Sequence, residues 1–154
     1  MMNLDCAVDG FRAKIPVLKP ELFLPQNLRE IVVTDDEAVI KYTLPEPVDI
    51  ELFMDYLEDE LGLIMLFHFV PSDSTSYGQS CCAYVKPGSD PLYKINATVS
   101  GSGSVSRFTV TLYVDLEIML SRLFDNVKLY EGKGCMRYCR REAEVIMDFI
   151  RVLH

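Results

Sequence analysis

The side chains that most often perform catalysis are scarce in this chain. It contains two histidines, of which His154 is the last residue and His68 lies in the apolar run Leu66-Phe67-His68-Phe69. In such a run we expect a hydrogen-bonded strand histidine rather than a general base. The sequence has no Gly-x-Ser-x-Gly segment and no phosphate-binding loop of the Walker type, which would mark two common classes of active site. The sequence therefore leans against an enzyme.

The five cysteines are the second group that could carry chemistry. Cys135 and Cys139 are four residues apart and would share one face of a predicted helix, whereas Cys81 and Cys82 are adjacent on a predicted strand. Adjacent strand residues point to opposite faces, so only one of the latter pair could join a zinc site, which needs four ligands. We therefore expect small apolar core cysteines, with no metal and no cofactor.

The charges of the chain are unevenly distributed. The net charge is −8, and residues 1–125 carry 9 Lys and Arg against 19 Asp and Glu, whereas residues 126–154 carry 6 against 4. This acidic balance disfavours binding to nucleic acids and to anionic membranes. Four basic residues lie at the start of the last predicted helix, namely Lys133, Arg137, Arg140 and Arg141. There they oppose the helix dipole, so an anionic ligand, an acidic partner or an acidic helix of this chain or a second copy should offset them. We favour the acidic helix.

The last predicted helix, from Cys135 to Leu153, carries more apolar surface than one stripe. Its apolar residues follow the 3-4 spacing of a coiled-coil seam at Met136, Cys139, Ala143, Ile146, Ile150 and Leu153. Phe149 lies beside that seam. One stripe can pack on the chain's own sheet while the remainder faces another chain, and both arrangements stay open. The predicted partner-binding residues are Met136, Arg137, Arg140, Arg141, Ile146, Phe149, Ile150 and Leu153.

The elements that position these side chains are predicted most clearly between Leu92 and Val114. Apolar residues occupy every second position on both sides of a Gly/Ser connection, which is typical of an antiparallel hairpin with one dry and one wet face. A first hairpin is predicted from Glu30 to Leu44, ended by Pro45 and Pro47. Helices are predicted to begin after Asp49 and after Asp115, which suit N-caps. Two further strands are predicted at 63–70 and 80–86.

The predicted fold is therefore α+β, with an antiparallel sheet of about six strands in the order β-β-α-β-β-β-β-α(-α). This order resembles the element order of helix-grip and TBP-like folds, with one extra strand at the front and a long C-terminal helical segment. We expect an extended arm over residues 1–28 and one α+β domain over residues 29–154. With no signal peptide, no run of about 20 apolar residues and an odd number of cysteines, a cytoplasmic protein with reduced thiols is expected.

From these patterns we predict a non-catalytic protein-interaction subunit or adaptor that self-associates through its C-terminal helix, most simply as a homodimer. The alternative is a helix-grip domain that binds a small apolar molecule between the sheet and that helix. Neither a membrane nor a nucleic acid is expected as a partner.

Overall fold

The computed structural model describes residues 8–9, 25–71, 79–130 and 134–138. After a 3-10 turn at Pro25–Asn27, the elements in chain order are β1 (Leu28–Val33), β2 (Glu37–Asp49), α1 (Ile50–Asp59), β3 (Met65–Pro71), β4 (Gln79–Tyr84), β5 (Tyr93–Val99), β6 (Ser104–Tyr113), α2 (Leu116–Tyr130) and β7 (Gly134–Tyr138). Within the described residues, no helix is long and apolar enough to cross a membrane.

All described strands belong to one sheet. Its order is β1-β2-β6-β5-β4-β3-β7, and every neighbouring pair is antiparallel. The α+β class with an antiparallel sheet is therefore confirmed. The sheet contains seven strands, one more than the sequence predicts, and the extra strand is β7 at one edge.

The hairpin predicted between Leu92 and Val114 is present as β5 and β6. The Gly/Ser connection forms a turn in which Gly103 has a φ of +83°, a conformation that residues with a Cβ rarely adopt. In β5 and in the first part of β6, buried apolar residues alternate with less buried polar residues, whereas the last four residues of β6 are all buried. The period of two in the sequence thus becomes two different faces of the sheet.

The first hairpin differs from its prediction at its end. Pro45 and Pro47 do not terminate the second strand, because β2 continues through them to Asp49. The pairing with β6 is interrupted between Thr43 and Val48 and then resumes. Proline cannot donate a ladder hydrogen bond, so the strand keeps its direction through the prolines while its pairing is interrupted.

Both predicted helix starts are confirmed at their capping residues. The Asp49 carboxylate accepts a hydrogen bond from the backbone N–H of Glu51 at 3.0 Å, and the Asp115 carboxylate accepts one from Ile118 at 2.9 Å. These bonds satisfy N–H groups that have no partner inside the helix. The buried face of α1 consists of Ile50, Phe53, Met54 and Leu57.

The prediction of a helix from Cys135 is wrong for its first residues. Residues 134–138 form β7, which pairs with β3 so that Arg137 lies opposite His68 and Met136 opposite Phe69. Without β7 the outer backbone groups of β3 would lack strand partners within the described part of the chain, and ladder pairing satisfies them. The helical spacing has only one seam position within the strand, Met136, so local periodicity is weak there.

Candidate functional site

One face of the sheet, here called the dry face, is closed by apolar side chains and α1. Its described residues include Ala38, Ile40, Tyr42, Leu44, Cys81, Ala83, Tyr93, Ile95, Ala97, Val99, Phe108, Val110 and Leu112, all of them buried. The ring of Phe108 stacks on Tyr42 with 5.0 Å between centroids, and Phe53 of α1 meets it at 5.5 Å. The dry face therefore holds the core between sheet and helix.

The opposite face, here called the polar face, carries the alternate residues of the same strands. Following the registers, its members include Lys41, Thr43, Ser80, Cys82, Tyr84, Lys94, Asn96, Thr98, Arg107, Thr109, Thr111 and Tyr113. The helix α2 lies over one end of it. Asn126 of α2 donates a hydrogen bond to the Tyr84 hydroxyl at 2.6 Å, and Arg122 is 3.5 Å from the Glu37 carboxylate.

The buried titratable groups at the covered end of the polar face are uncharged and unreactive at neutral pH. Burial is the main cause that raises the pKa of the Tyr84 and Tyr113 hydroxyls well above the ordinary value. Burial also raises the pKa of the Cys82 thiol, against the opposing effect of Lys94. A raised thiol pKa reduces the thiolate fraction and with it the reactivity. These groups stay protonated and have a structural role.

The other end of the polar face forms an open groove of about 350 Å³. It is lined by Arg29, Lys41, Tyr42, Thr43, Asn96, Thr98, Arg107, Phe108 and Thr109. Most of these residues come from two rows that cross three neighbouring strands, β2, β6 and β5. One row is Lys41–Thr109–Asn96 and the next is Thr43–Arg107–Thr98.

The groove is cationic although the chain as a whole is acidic. Three of its lining residues are basic and none is acidic. Arg29 lies at the irregularity in the β1 register between Leu28 and Glu30, where a bulge can redirect a side chain. Its guanidinium donates to the Gln26 carbonyl at 2.8 Å, and Lys41 is 3.2 Å from the Glu30 carboxylate.

The predicted partner-binding residues do not form a single described site. Met136 and Arg137 lie on the strand β7, whereas the sequence analysis places them on a helix. The other six predicted residues lie outside the described residues, namely Arg140, Arg141, Ile146, Phe149, Ile150 and Leu153.

His68 and the strand cysteines lie where the sequence predicts. His68 is 5% exposed, and its Nε2 is 3.1 Å from the Gln79 side-chain oxygen, as expected of a structural histidine. Cys81 and Cys82 are both buried, neither forms a disulfide, and they face opposite sides of β4. In the part of the chain that the structure describes, no three His, Cys, Asp or Glu residues are grouped as metal ligands would be.

The cationic groove was not predicted from the sequence, because the pattern of its residues is that of an ordinary solvent-exposed sheet face. Asn96 and Thr98, like Arg107 and Thr109, occupy the polar positions of the predicted hairpin. The absence of acidic residues from these positions is the sequence feature that could have indicated a cationic site. Lys41 lies beside Thr109, however, only because β2 pairs with β6, and local periodicity does not reveal that pairing.

No family model, no curated protein and no solved structure matches this chain. Its function therefore has to be inferred from its own residues.

Proposed function

We propose that the protein is a non-catalytic protein-interaction subunit that self-associates, and that the sheet edge formed by β1 contributes to the contact. The observation that carries this proposal is the exposure of two large apolar residues on that edge: Val32 is 40% exposed and Val33 is 49% exposed. Within the described residues, β1 pairs only with β2. None of the other described strands occupies its outer N–H and C=O groups, which are the groups that an added strand would pair with.

The two halves of β1 differ in their protection against pairing. The first half carries the charged residues Arg29 and Glu30 and the irregular register, and both features discourage edge-to-edge pairing. The second half, Ile31-Val32-Val33, carries neither. Three consecutive β-branched residues favour an extended backbone and pack well against a neighbouring strand.

A second copy of the same strand fits this edge. Two antiparallel copies of β1 related by a twofold axis at Val32 bring the two Val32 residues opposite each other and place Ile31 opposite Val33 of the second copy. All three cross-strand positions are then apolar and β-branched, and each such pair contributes roughly 0.2–1 kcal/mol. Both copies carry a net charge of −8, so salt should strengthen the association by screening their repulsion.

The titratable groups support a non-catalytic function in a reducing, cytoplasmic compartment. Burial raises the pKa values of Tyr84, Tyr93, Tyr113 and the Cys82 thiol, and each change favours the neutral, unreactive form. Neither Cys81 nor Cys82 forms a disulfide, which agrees with a compartment where disulfides do not persist.

The predicted C-terminal surface remains a second place where copies could meet. Its residues Ile146 and Phe149 lie outside the described residues, as does the pocket that a helix-grip arrangement would form between sheet and C-terminal helix. The resemblance to helix-grip and TBP-like element order stays a prediction on the same ground. The experiment therefore has to separate the β1 edge, the C-terminal surface and an apolar ligand.

Sedimentation velocity over a concentration series tests the proposal. The unmodified protein should sediment as a dimer at micromolar concentration, and Val32→Lys should sediment as a monomer because lysine on an edge strand opposes pairing. Leu52→Lys is the matched control, since Leu52 is a 63% exposed apolar residue on α1, away from the edge. It should leave the dimer intact.

Each other result has a definite meaning. A dimer that survives Val32→Lys but is lost in Ile146→Asp would assign the contact to the C-terminal surface and overturn the β1 assignment. A monomeric unmodified protein from which native mass spectrometry recovers an apolar compound would overturn self-association and favour the helix-grip alternative.

A further inference from the structure

We propose that the cationic groove on the polar face binds a small ligand that carries phosphate groups. The groove is formed by Arg29, Lys41 and Arg107 together with the side chains of Thr43, Asn96, Thr98 and Thr109. This inference does not depend on self-association, because the groove opens on a sheet face whereas the proposed contact lies along the β1 edge.

The first argument is the concentration of positive charge. Three basic side chains line one groove in a chain of net charge −8, and no carboxylate lines it. Like charges gathered in one site repel each other unless an anion offsets them. Arg107 has no carboxylate within ion-pair distance among the described residues, so its guanidinium is available to a ligand.

The existing interactions of the other two cations leave room for an anion. The Lys41–Glu30 pair is exposed, with about half of each side chain accessible, and such pairs contribute little to stability. Arg29 uses one nitrogen on the Gln26 carbonyl, while a guanidinium has five N–H donors in all. Both side chains can therefore contact a ligand while the fold stays unchanged.

The second argument is the supply of neutral hydrogen-bond donors between the cations. The backbone groups of β2, β6 and β5 are engaged in the ladders, so side chains are what the sheet offers to a ligand. The Thr43 and Thr98 hydroxyls stand in the same row as Arg107. Thr109 lies next to Lys41 in the other row, but its hydroxyl donates to the Asn96 backbone carbonyl at 3.5 Å, so Thr43 and Thr98 supply the neutral donors. A phosphate group has several acceptor oxygens and two charges at neutral pH, which suits this mixture of cations and hydroxyls.

The third argument is that the groove suits a small ligand and offers no aromatic surface on which nucleic-acid bases could stack. The two aromatic residues of the lining, Tyr42 and Phe108, stack on each other on the dry face and are almost fully buried. Their rings therefore offer no platform for unpaired bases, which single-strand binding needs. The volume of about 350 Å³ lies at the lower end of the range for small-molecule sites.

Isothermal titration with inorganic pyrophosphate at constant ionic strength tests the site. The unmodified protein should bind one pyrophosphate per chain, and Arg107→Gln and Lys41→Gln should each weaken binding about tenfold or more, the usual scale for losing one charge-assisted contact. Lys86→Gln is the matched control, because Lys86 is an exposed cation outside the groove. It should bind pyrophosphate as the unmodified protein does.

Three outcomes would overturn the proposal. Equal affinity in all four proteins would mean that the groove does not hold the anion. An equal response to chloride or sulfate would indicate adventitious ion binding only. Tighter binding of a single-stranded oligonucleotide than of pyrophosphate, with the same dependence on Arg107, would replace the small ligand by a nucleic acid. Repeating the titration with Val32→Lys separates this result from the test of self-association, because the monomeric variant should retain pyrophosphate affinity.

Discussion

Phe108 and Arg107 are neighbours on β6, yet they stand on opposite faces of the sheet and in opposite environments. Phe108 is buried between Tyr42 and Phe53, whereas Arg107 is exposed in the groove. The same contrast extends along β2 and β5, where apolar residues alternate with Lys41, Asn96 and Thr98. The dry face stabilises the fold by burying apolar side chains, and the open end of the polar face can carry charges that a core could not accommodate.

The polar face itself is divided by α2. Under that helix, Tyr84 and Tyr113 are fully buried and their hydroxyls stay protonated. Beyond it, Thr98 and Arg107 are exposed. One set of strands thus carries a closed core, a covered polar layer and an open cationic groove. Substitutions in these three regions should change the free energy of unfolding by different amounts and for different reasons.

The largest effect is expected from a pair of substitutions on adjacent residues. Phe108→Ala should lower the free energy of unfolding by about 3–5 kcal/mol, because it leaves a cavity in the aromatic cluster of the dry face. Arg107→Gln should change it by no more than about 0.5 kcal/mol, as is usual for exposed positions. Urea denaturation of both variants measures the two values, and similar losses would contradict the division of the sheet into two faces.

The sequence predicts the two faces but does not predict the groove. The alternation of Tyr93, Ile95 and Ala97 with polar residues is local, and a period of two is enough to assign their faces. Bringing Lys41 beside Thr109 requires β2 to pair with β6, a long-range choice that depends on how the whole sheet buries its dry face. The start of β7 escaped prediction for the same reason, since pairing with β3 outweighs the local helical spacing around Met136.

The second prediction concerns alkaline pH and compares Tyr93 on the dry face with its phenylalanine variant. Burial raises the pKa of Tyr93 from 10.0 to about 12, so the folded state holds its proton more tightly than the unfolded state does. The stability that this provides is fully present below pH 10 and is lost as the pH rises from 10 to 12. At pH 11 the loss from Tyr93 alone is about 1.4 kcal/mol relative to pH 8.

Urea denaturation at pH 8 and pH 11 checks this value. Tyr93→Phe should lose less stability between the two pH values than the unmodified protein, by that amount. Tyr84 and Tyr113 shift in the same direction, so the variant should still be destabilised by alkali. An identical pH dependence in both proteins would show that Tyr93 ionises as freely in the folded state as in the unfolded state.

The smallest changes in the free energy of unfolding are expected from Tyr84→Phe and Tyr113→Phe. These two variants compare residues within the covered layer. The Tyr84 hydroxyl accepts the hydrogen bond of Asn126, so its removal should cost about 1 kcal/mol. The Tyr113 hydroxyl is buried without a hydrogen-bond partner among the described residues. Removing it should leave stability unchanged or raise it by up to about 1 kcal/mol, because a buried polar group without a partner is unfavourable. Urea denaturation should therefore give the two variants different signs, and an equal loss in both would mean that the Tyr113 hydroxyl is hydrogen-bonded in solution.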